Sequence, residues 1–141
     1  MDRIKILLVD DDEMLRIYFK DIFWIHNLEY KYELTVCDNI KKAEEVINNP
    51  ETRPNIAFLD LVMPIETGGR TIASPEAGLS LIKKIKSDPK LKNIKIIVFS
   101  GHNEKALMDK VKKLGAENYL IKGDNLPKDL VNFIEKIAEQ K

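Results

Sequence analysis

Five short apolar runs rich in Ile, Leu and Val recur along this chain, and a stretch with apolar residues at helical spacing follows each of them. That alternation constrains the fold more than any other feature. The first run, Ile4-Lys5-Ile6-Leu7-Leu8-Val9, ends at Asp10-Asp11-Asp12 and reads as a strand buried on both faces. Residues 13–26 carry Leu15, Phe19, Ile22 and Phe23 as a helical stripe. A strand is expected over 30–37, where Tyr30, Tyr32, Leu34 and Val36 share one face. A helix over 39–48 shows Ile40, Ala43, Val46 and Ile47 and stops before Pro50. The third strand is 56–59. Ser74-Pro75 reads as an N-cap followed by proline at the first helical position, opening a helix with Leu79, Ile82 and Ile85 that lasts until Asp88-Pro89. A fourth strand over 94–99, a helix over 104–114 closed by Gly115, a fifth strand over 118–121 and a helix opening at Pro127 complete the series.

Strand and helix alternating in this way imply an α/β fold with one parallel sheet and helices on both faces, and right-handed crossovers restrict the topology further. A length of 141 residues suits a single domain with a genuine core. No internal repeat or linker divides it, so 1–141 is expected to be one domain, with a polar, glycine-bearing segment inserted at about 65–74. The 23 basic and 23 acidic residues balance, which gives no support for a nucleic-acid surface or a membrane-surface anchor. Apolar runs stay far below the roughly 20 residues of a membrane span. Met1-Asp2-Arg3-Ile4 runs straight into the first strand, which predicts no signal peptide. The lone Cys37 allows no internal disulfide, reads as a buried free thiol, and fits a reducing, cytoplasmic setting.

Ligands of open α/β sheets sit at the carboxyl ends of the strands. Here those ends carry Asp10, Asp11 and Asp12, then Asp60, then Ser100-Gly101-His102, then Lys122-Gly123. Taken singly, each has an ordinary reading: Asp12 as a helix cap, Ser100 as a turn residue, Lys122 as a solvated lysine. Taken together they form a set. If the first and third strands are neighbours, their carboxylates crowd one pocket and need a cation. Hard oxygen ligands with few histidines suit Mg²⁺. A carboxylate, a metal, an ammonium and a hydroxyl are the parts for handling a phosphoryl group.

The segments LLVDDDEMLR, IAFLDLVMP, IIVFSG and NYLIK, in that order and at strand ends, give the whole chain a resemblance to the receiver domains of two-component response regulators. The resemblance implies a doubly wound five-stranded parallel sheet of order 2-1-3-4-5 with five helices, the flavodoxin-like or CheY-like arrangement. It implies that Asp60 accepts a phosphoryl group from the phosphohistidine of a histidine kinase or phosphotransfer protein. Asp10, Asp11, Asp60 and the Val62 carbonyl would hold Mg²⁺, Asp10 through water. Ser100 and Lys122 would contact the phosphoryl oxygens, and Ser100 and Tyr119 would act as the switch pair. A half-buried edge-strand tyrosine is the plain reading of Tyr119. Such a domain is a signalling element that catalyses its own aspartyl phosphorylation and dephosphorylation, not an enzyme with a separate substrate. Its output would pass through the surface of the fourth helix, fifth strand and fifth helix to an effector the sequence does not name. With no effector segment after the last helix, the chain reads as a stand-alone receiver or a piece of a longer protein.

Three departures from the family pattern carry expectations. The glycine that usually follows the Met-Pro proline by four residues corresponds to Gly78, about ten residues late, so 65–74 is inserted beside the site as a lid, a docking loop or a passive excursion. Gly123 stands where a cis-proline commonly follows the lysine, and glycine can take the angles required. Val62 and His102 occupy positions that tune hydrolysis; valine cannot orient a water, so slow self-dephosphorylation is expected. Two other readings compete. A phosphatase with an aspartyl nucleophile also begins Asp-x-Asp, but Met14 breaks that pattern and no acidic pair follows Lys122. A receiver fold used as a phosphorylation-independent interaction module is not expected to keep Asp10, Asp11, Asp60, Ser100 and Lys122 intact.

Overall fold

The computed structural model describes residues 3–124 and 127–139. The expectations for Met1 and Asp2 and for the last two residues of the chain lie outside them. In chain order the elements are β1 (Ile4–Val9), α1 (Glu13–Ile25), β2 (Tyr32–Cys37), α2 (Ile40–Asn48), β3 (Ile56–Leu59), β4 (Met63–Thr67), β5 (Arg70–Ser74), α3 (Glu76–Ser87), β6 (Lys95–Ser100), α4 (Lys105–Leu114), β7 (Asn118–Ile121) and α5 (Pro127–Glu139). Five strands form one parallel sheet in the order β2-β1-β3-β6-β7. Setting aside the two strands of the insertion, this is the order 2-1-3-4-5.

Side-chain alternation along the central strands feeds two cores. Leu7 and Val9 of β1, Ala57 and Leu59 of β3, and Ile96 and Val98 of β6 pack with Ala43 and Ile47 of α2, Leu79 and Ile82 of α3, and Val111 of α4. Their neighbours in sequence, Ile6, Leu8, Ile56, Phe58, Ile97 and Phe99, pack on the other side with Phe19, Ile22 and Phe23 of α1 and Leu130, Ile134 and Ile137 of α5. Each central strand is buried on both faces, as its near-continuous apolar sequence requires. The Phe19 ring meets Phe58 and Phe99 edge-on, with centroids 5.3 and 5.8 Å apart. Cys37 is buried and free, and burial pushes its thiol up.

The structure departs from the sequence reading chiefly at β2 and in the inserted segment, and by one residue at the ends of β6 and the start of α3. β2 starts at Tyr32, because Tyr30 lies in a turn, 74% exposed, where Lys31 and Tyr32 donate back to the Leu28 carbonyl. The inserted segment is not a loop. It is an antiparallel hairpin of β4 and β5, in register Met63↔Ser74 through Thr67↔Arg70. Gly68 and Gly69, at φ +57° and +76°, make the two-residue turn that needs positive φ at both positions. Its base is anchored: Met63 and Ser74 are buried, and Ser74 Oγ accepts the Glu76 N–H at 3.1 Å; Pro75, expected at the first helical position, is the cap residue, and α3 begins one residue later at Glu76.

Candidate functional site

Register places the site. Val9 pairs with Leu59 and Leu59 with Val98, so β1 and β3 end at one level, and β6 runs two residues further and ends at Ser100 beside the residues that follow them. The Asp10 N–H donates to the Cys37 carbonyl (3.0 Å) and the Asp60 N–H to the Val9 carbonyl (2.8 Å), which extends the ladder by one residue and holds both carboxyl groups at the sheet edge. The Lys122 N–H donates to the Ser100 carbonyl at 2.8 Å and fixes the lysine beside them.

Asp10 and Ser100 are fully buried and Asp60 nearly so, while Asp11 is exposed. Lys122 Nζ lies 2.8 Å from Asp10 Oδ2 and 3.3 Å from Asp60 Oδ2. Burial pushes the Asp60 carboxyl up to about 6, Asp10 adds to that rise, and Lys122 opposes it. For Lys122, burial acts downward, and the carboxylates of Asp10 and Asp60 outweigh it to leave the ammonium raised. The pair therefore stays cationic on the lysine side, and the strain of burial falls on Asp60.

Asp10 Oδ1 accepts the Asp12 N–H at 2.9 Å, which bends the chain so that Asp11 points to solvent over the pocket. Asp10 Oδ2 is buried and, despite its ion pair with Lys122, accepts no hydrogen bond of good geometry. One carboxylate oxygen from each of Asp10, Asp11 and Asp60 lies within 4.8 Å of the others. An all-oxygen cluster of three carboxylates facing a single ammonium fits a hard divalent cation. Asp12 takes the plainer of its two readings: its Oδ1 accepts the Met14 N–H at 3.0 Å and caps α1.

Val62, half-buried, lies two residues past Asp60 in the turn that leads into β4. Ser100 Oγ accepts the His102 N–H at 3.2 Å. The half-buried Tyr119 sits on the edge strand β7, and its hydroxyl donates to the His102 carbonyl at 2.6 Å. Gly123 takes φ +92° behind Lys122. Sequence reasoning missed one support and gave no physical reason for another, Gly78. Arg16 Nη1 donates to the Asp10 carbonyl at 2.8 Å, a contact signalled only by a cation one turn into α1. Gly78 has to be glycine because a Cβ there would sit 2.9 Å from the Leu61 carbonyl oxygen, next to Asp60.

A family model for the response regulator receiver domain matches residues 6–135. The chain is 29% identical over 136 residues to the chemotaxis protein CheY of Thermotoga maritima, covering 96% of this chain and 98% of that one. Longer proteins match as well: the chain spans 39% of the rice two-component response regulator ORR7. Among solved structures, a CheY-like receiver domain protein from Methanospirillum hungatei superposes with a TM-score of 0.78 at 22% identity, covering 99% and 96% of the two chains. The Mn(2+)-bound form of response regulator Rcp1 superposes with a TM-score of 0.68 at 25% identity, covering 94% and 90%. Fold, strand-end chemistry and family match agree from the first strand to the last helix, and the chain belongs to the response regulator receiver domain family.

Proposed function

We propose that Asp60 is a phosphoryl acceptor and that its modification switches a protein-interaction surface. The observation that carries this reading is the Asp60 carboxylate itself, nearly buried at the end of a central strand, 3.3 Å from Lys122 and crowded by Asp10. A charge held at such cost calls for a task. In the proposed reaction an Asp60 carboxylate oxygen forms a bond to phosphorus as the bond from phosphorus to the donor imidazole nitrogen breaks. The donor is the phosphohistidine of a histidine kinase or phosphotransfer protein. Lys122 offsets charge on the transferring oxygens, and the Ser100 hydroxyl donates to one of them.

Asp10, Asp11, Asp60 and the Val62 carbonyl are the residues that would hold Mg²⁺. The cation supplies charge neutralisation for the phosphoryl oxygens. The three-carboxylate cluster, faced by the single ammonium of Lys122, supports this assignment, and a receiver-family structure with Mn(2+) bound exists at 25% identity. Once Asp60 is modified, Ser100 turns its hydroxyl toward the new group, releasing the His102 N–H. Tyr119, tied to the His102 carbonyl, then repacks with α4 and β7. The domain is a signalling element that catalyses its own phosphorylation and dephosphorylation. No described helix is long and apolar enough to cross a membrane, and the reading places the protein in the cytoplasm.

The test is intact mass after incubation with Mg²⁺ and acetyl phosphate, beside an Asp60→Asn control. One added phosphoryl group, absent from the control, is the expected result. No gain from acetyl phosphate or from a phosphohistidine donor, together with no Mg²⁺ binding, would leave a phosphorylation-independent interaction module.

A further inference from the structure

Beyond Met63, which packs in the core with α2, α3 and α4, the hairpin of β4 and β5 extends away from both cores. From Pro64 outward its described side chains are exposed, and only its base at Met63 and Ser74 is buried. A two-stranded sheet has two open edges, and here they differ. In a hairpin closed by two residues the flanking pair, Thr67 and Arg70, is the hydrogen-bonded pair. Alternation along the ladder then turns the backbone groups of Pro64 and Glu66 outward on β4, and those of Thr71 and Ala73 outward on β5. The β4 edge is protected: Pro64 has no N–H to offer, and Glu66 is charged. The β5 edge has neither device. It presents complete donor–acceptor pairs at Thr71 and Ala73, with Ile72 between them, a large apolar side chain left 44% exposed.

We propose that β5 is a dimerisation edge, pairing antiparallel with β5 of a second copy of this chain about a two-fold axis at Ile72. In that register Thr71 lies opposite Ala73 of the other copy, and the two exchange both backbone hydrogen bonds; the symmetric pair repeats this, giving four bonds. Ile72 meets its own counterpart in the non-hydrogen-bonded position, where side chains approach most closely. Arg70 falls opposite Ser74, so no like charges face each other. A second copy is the occupant these features favour, because one open edge and one blocked edge permit a closed pair and stop an open-ended polymer. Pairing also relieves the marginal stability of an isolated two-stranded sheet. The hairpin base begins three residues after Asp60, so the pairing would link two acceptor sites through the shared hairpin sheet.

Sedimentation equilibrium of the full chain, from micromolar to near-millimolar concentration, tests this directly. The expected result is a concentration-dependent dimer, weakened on the order of tenfold or more by Thr71→Pro, which removes an outward N–H without touching a bond inside the hairpin. Ile72→Lys should weaken it similarly by opposing like charges at the axis. Ile72→Cys should give an intermolecular disulfide on mild oxidation, since the native Cys37 is buried. Unchanged far-UV ellipticity in all three variants confirms that the main sheet is intact. A chain that stays monomeric throughout overturns the proposal, including the case in which the edge serves a strand from another protein. A dimer indifferent to Thr71→Pro and Ile72→Lys also overturns it, by placing the interface elsewhere.

Discussion

At the scale of single residues, the chain concentrates its cost at Asp60. Its carboxyl, ordinarily near 3.8, is pushed up to about 6 by burial first and by Asp10 second, so in metal-free protein the native state holds this proton more tightly than the unfolded chain. The sign of the pH dependence follows. Below about pH 4 both states are protonated and Asp60 costs nothing; stability then falls as pH rises toward 6, and the full cost is present above it. The shift converts to an upper bound of about 3 kcal/mol, and to about 1–2 kcal/mol once solvent reaching the open side of the carboxylate is allowed for. In EDTA, Asp60→Asn should therefore be more stable than the parent by that amount at pH 7.5, with the gain vanishing at pH 4; urea melts across this range measure it, and a pH-independent difference would refute the assignment. Val62 carries a second prediction. Its side chain offers no group to orient a water, so acyl phosphate formed at Asp60 should decay slowly, and Val62→Asn should shorten its lifetime. A lifetime of seconds in the parent protein, followed by loss of the phosphoryl mass, would contradict this.

At the scale of elements, what was legible is what burial writes into sequence. β1, β3 and β6 are covered on both faces, so their runs are almost wholly apolar and their ends are sharp; the site residues Asp10, Asp60 and Ser100 were readable because each breaks such a run. The hairpin was not legible as strands. Its described side chains beyond the base are exposed, so burial writes little into its sequence, and its one signal was the Gly68-Gly69 pair. The N-terminal part of the second strand was misread for a related reason: Tyr30 keeps the alternation of Tyr32 and Leu34 but lies in an exposed turn. The contacts that tie loop backbone to a helix or strand, such as Arg16 of α1 on the Asp10 carbonyl and Tyr119 of β7 on the His102 carbonyl, involve backbone acceptors and leave no residue-type trace. The start of α3 yields a prediction at this scale. Gly78 lets the helix approach the Leu61 backbone so closely that a Cβ would fall 2.9 Å from the carbonyl oxygen. That atom cannot yield without moving the turn that carries Asp60. Gly78→Ala should lower stability by about 1–3 kcal/mol, despite its better helix propensity, and should slow phosphorylation by acetyl phosphate. A stabilised variant with unchanged phosphorylation would show that the helix shifts freely against the turn.

At the scale of the whole molecule, the acidic pocket and the two cores share the same strands. Asp10 ends β1 and Asp60 ends β3, and β1 and β3 each send alternate side chains to the α1–α5 core and to the α2–α3–α4 core. Neither core can loosen without unpairing strands that also support the other, so the domain should unfold as one unit, with far-UV and near-UV ellipticity tracing coincident urea curves. The near-UV signal samples the buried Tyr32 and the Phe19–Phe58–Phe99 cluster on one face, whereas the far-UV signal averages every helix. The same sharing fixes what a bound cation should do. A ligand that binds only the folded pocket stabilises the whole domain by RT ln(1 + [L]/Kd), about 2.7 kcal/mol at a hundredfold excess over Kd. Mg²⁺ should thus move the urea midpoint upward without altering the slope, by the same amount in both signals, since the surface exposed on unfolding is unchanged. Asp11→Asn should shrink the shift while leaving the metal-free midpoint nearly in place, because Asp11 is exposed and contributes to the pocket more than to the cores. A Mg²⁺ effect seen in one signal alone, or one that survives loss of Asp11 at full size, would mean that the cation acts away from the strand ends and that the carboxylate cluster serves packing instead of phosphoryl chemistry.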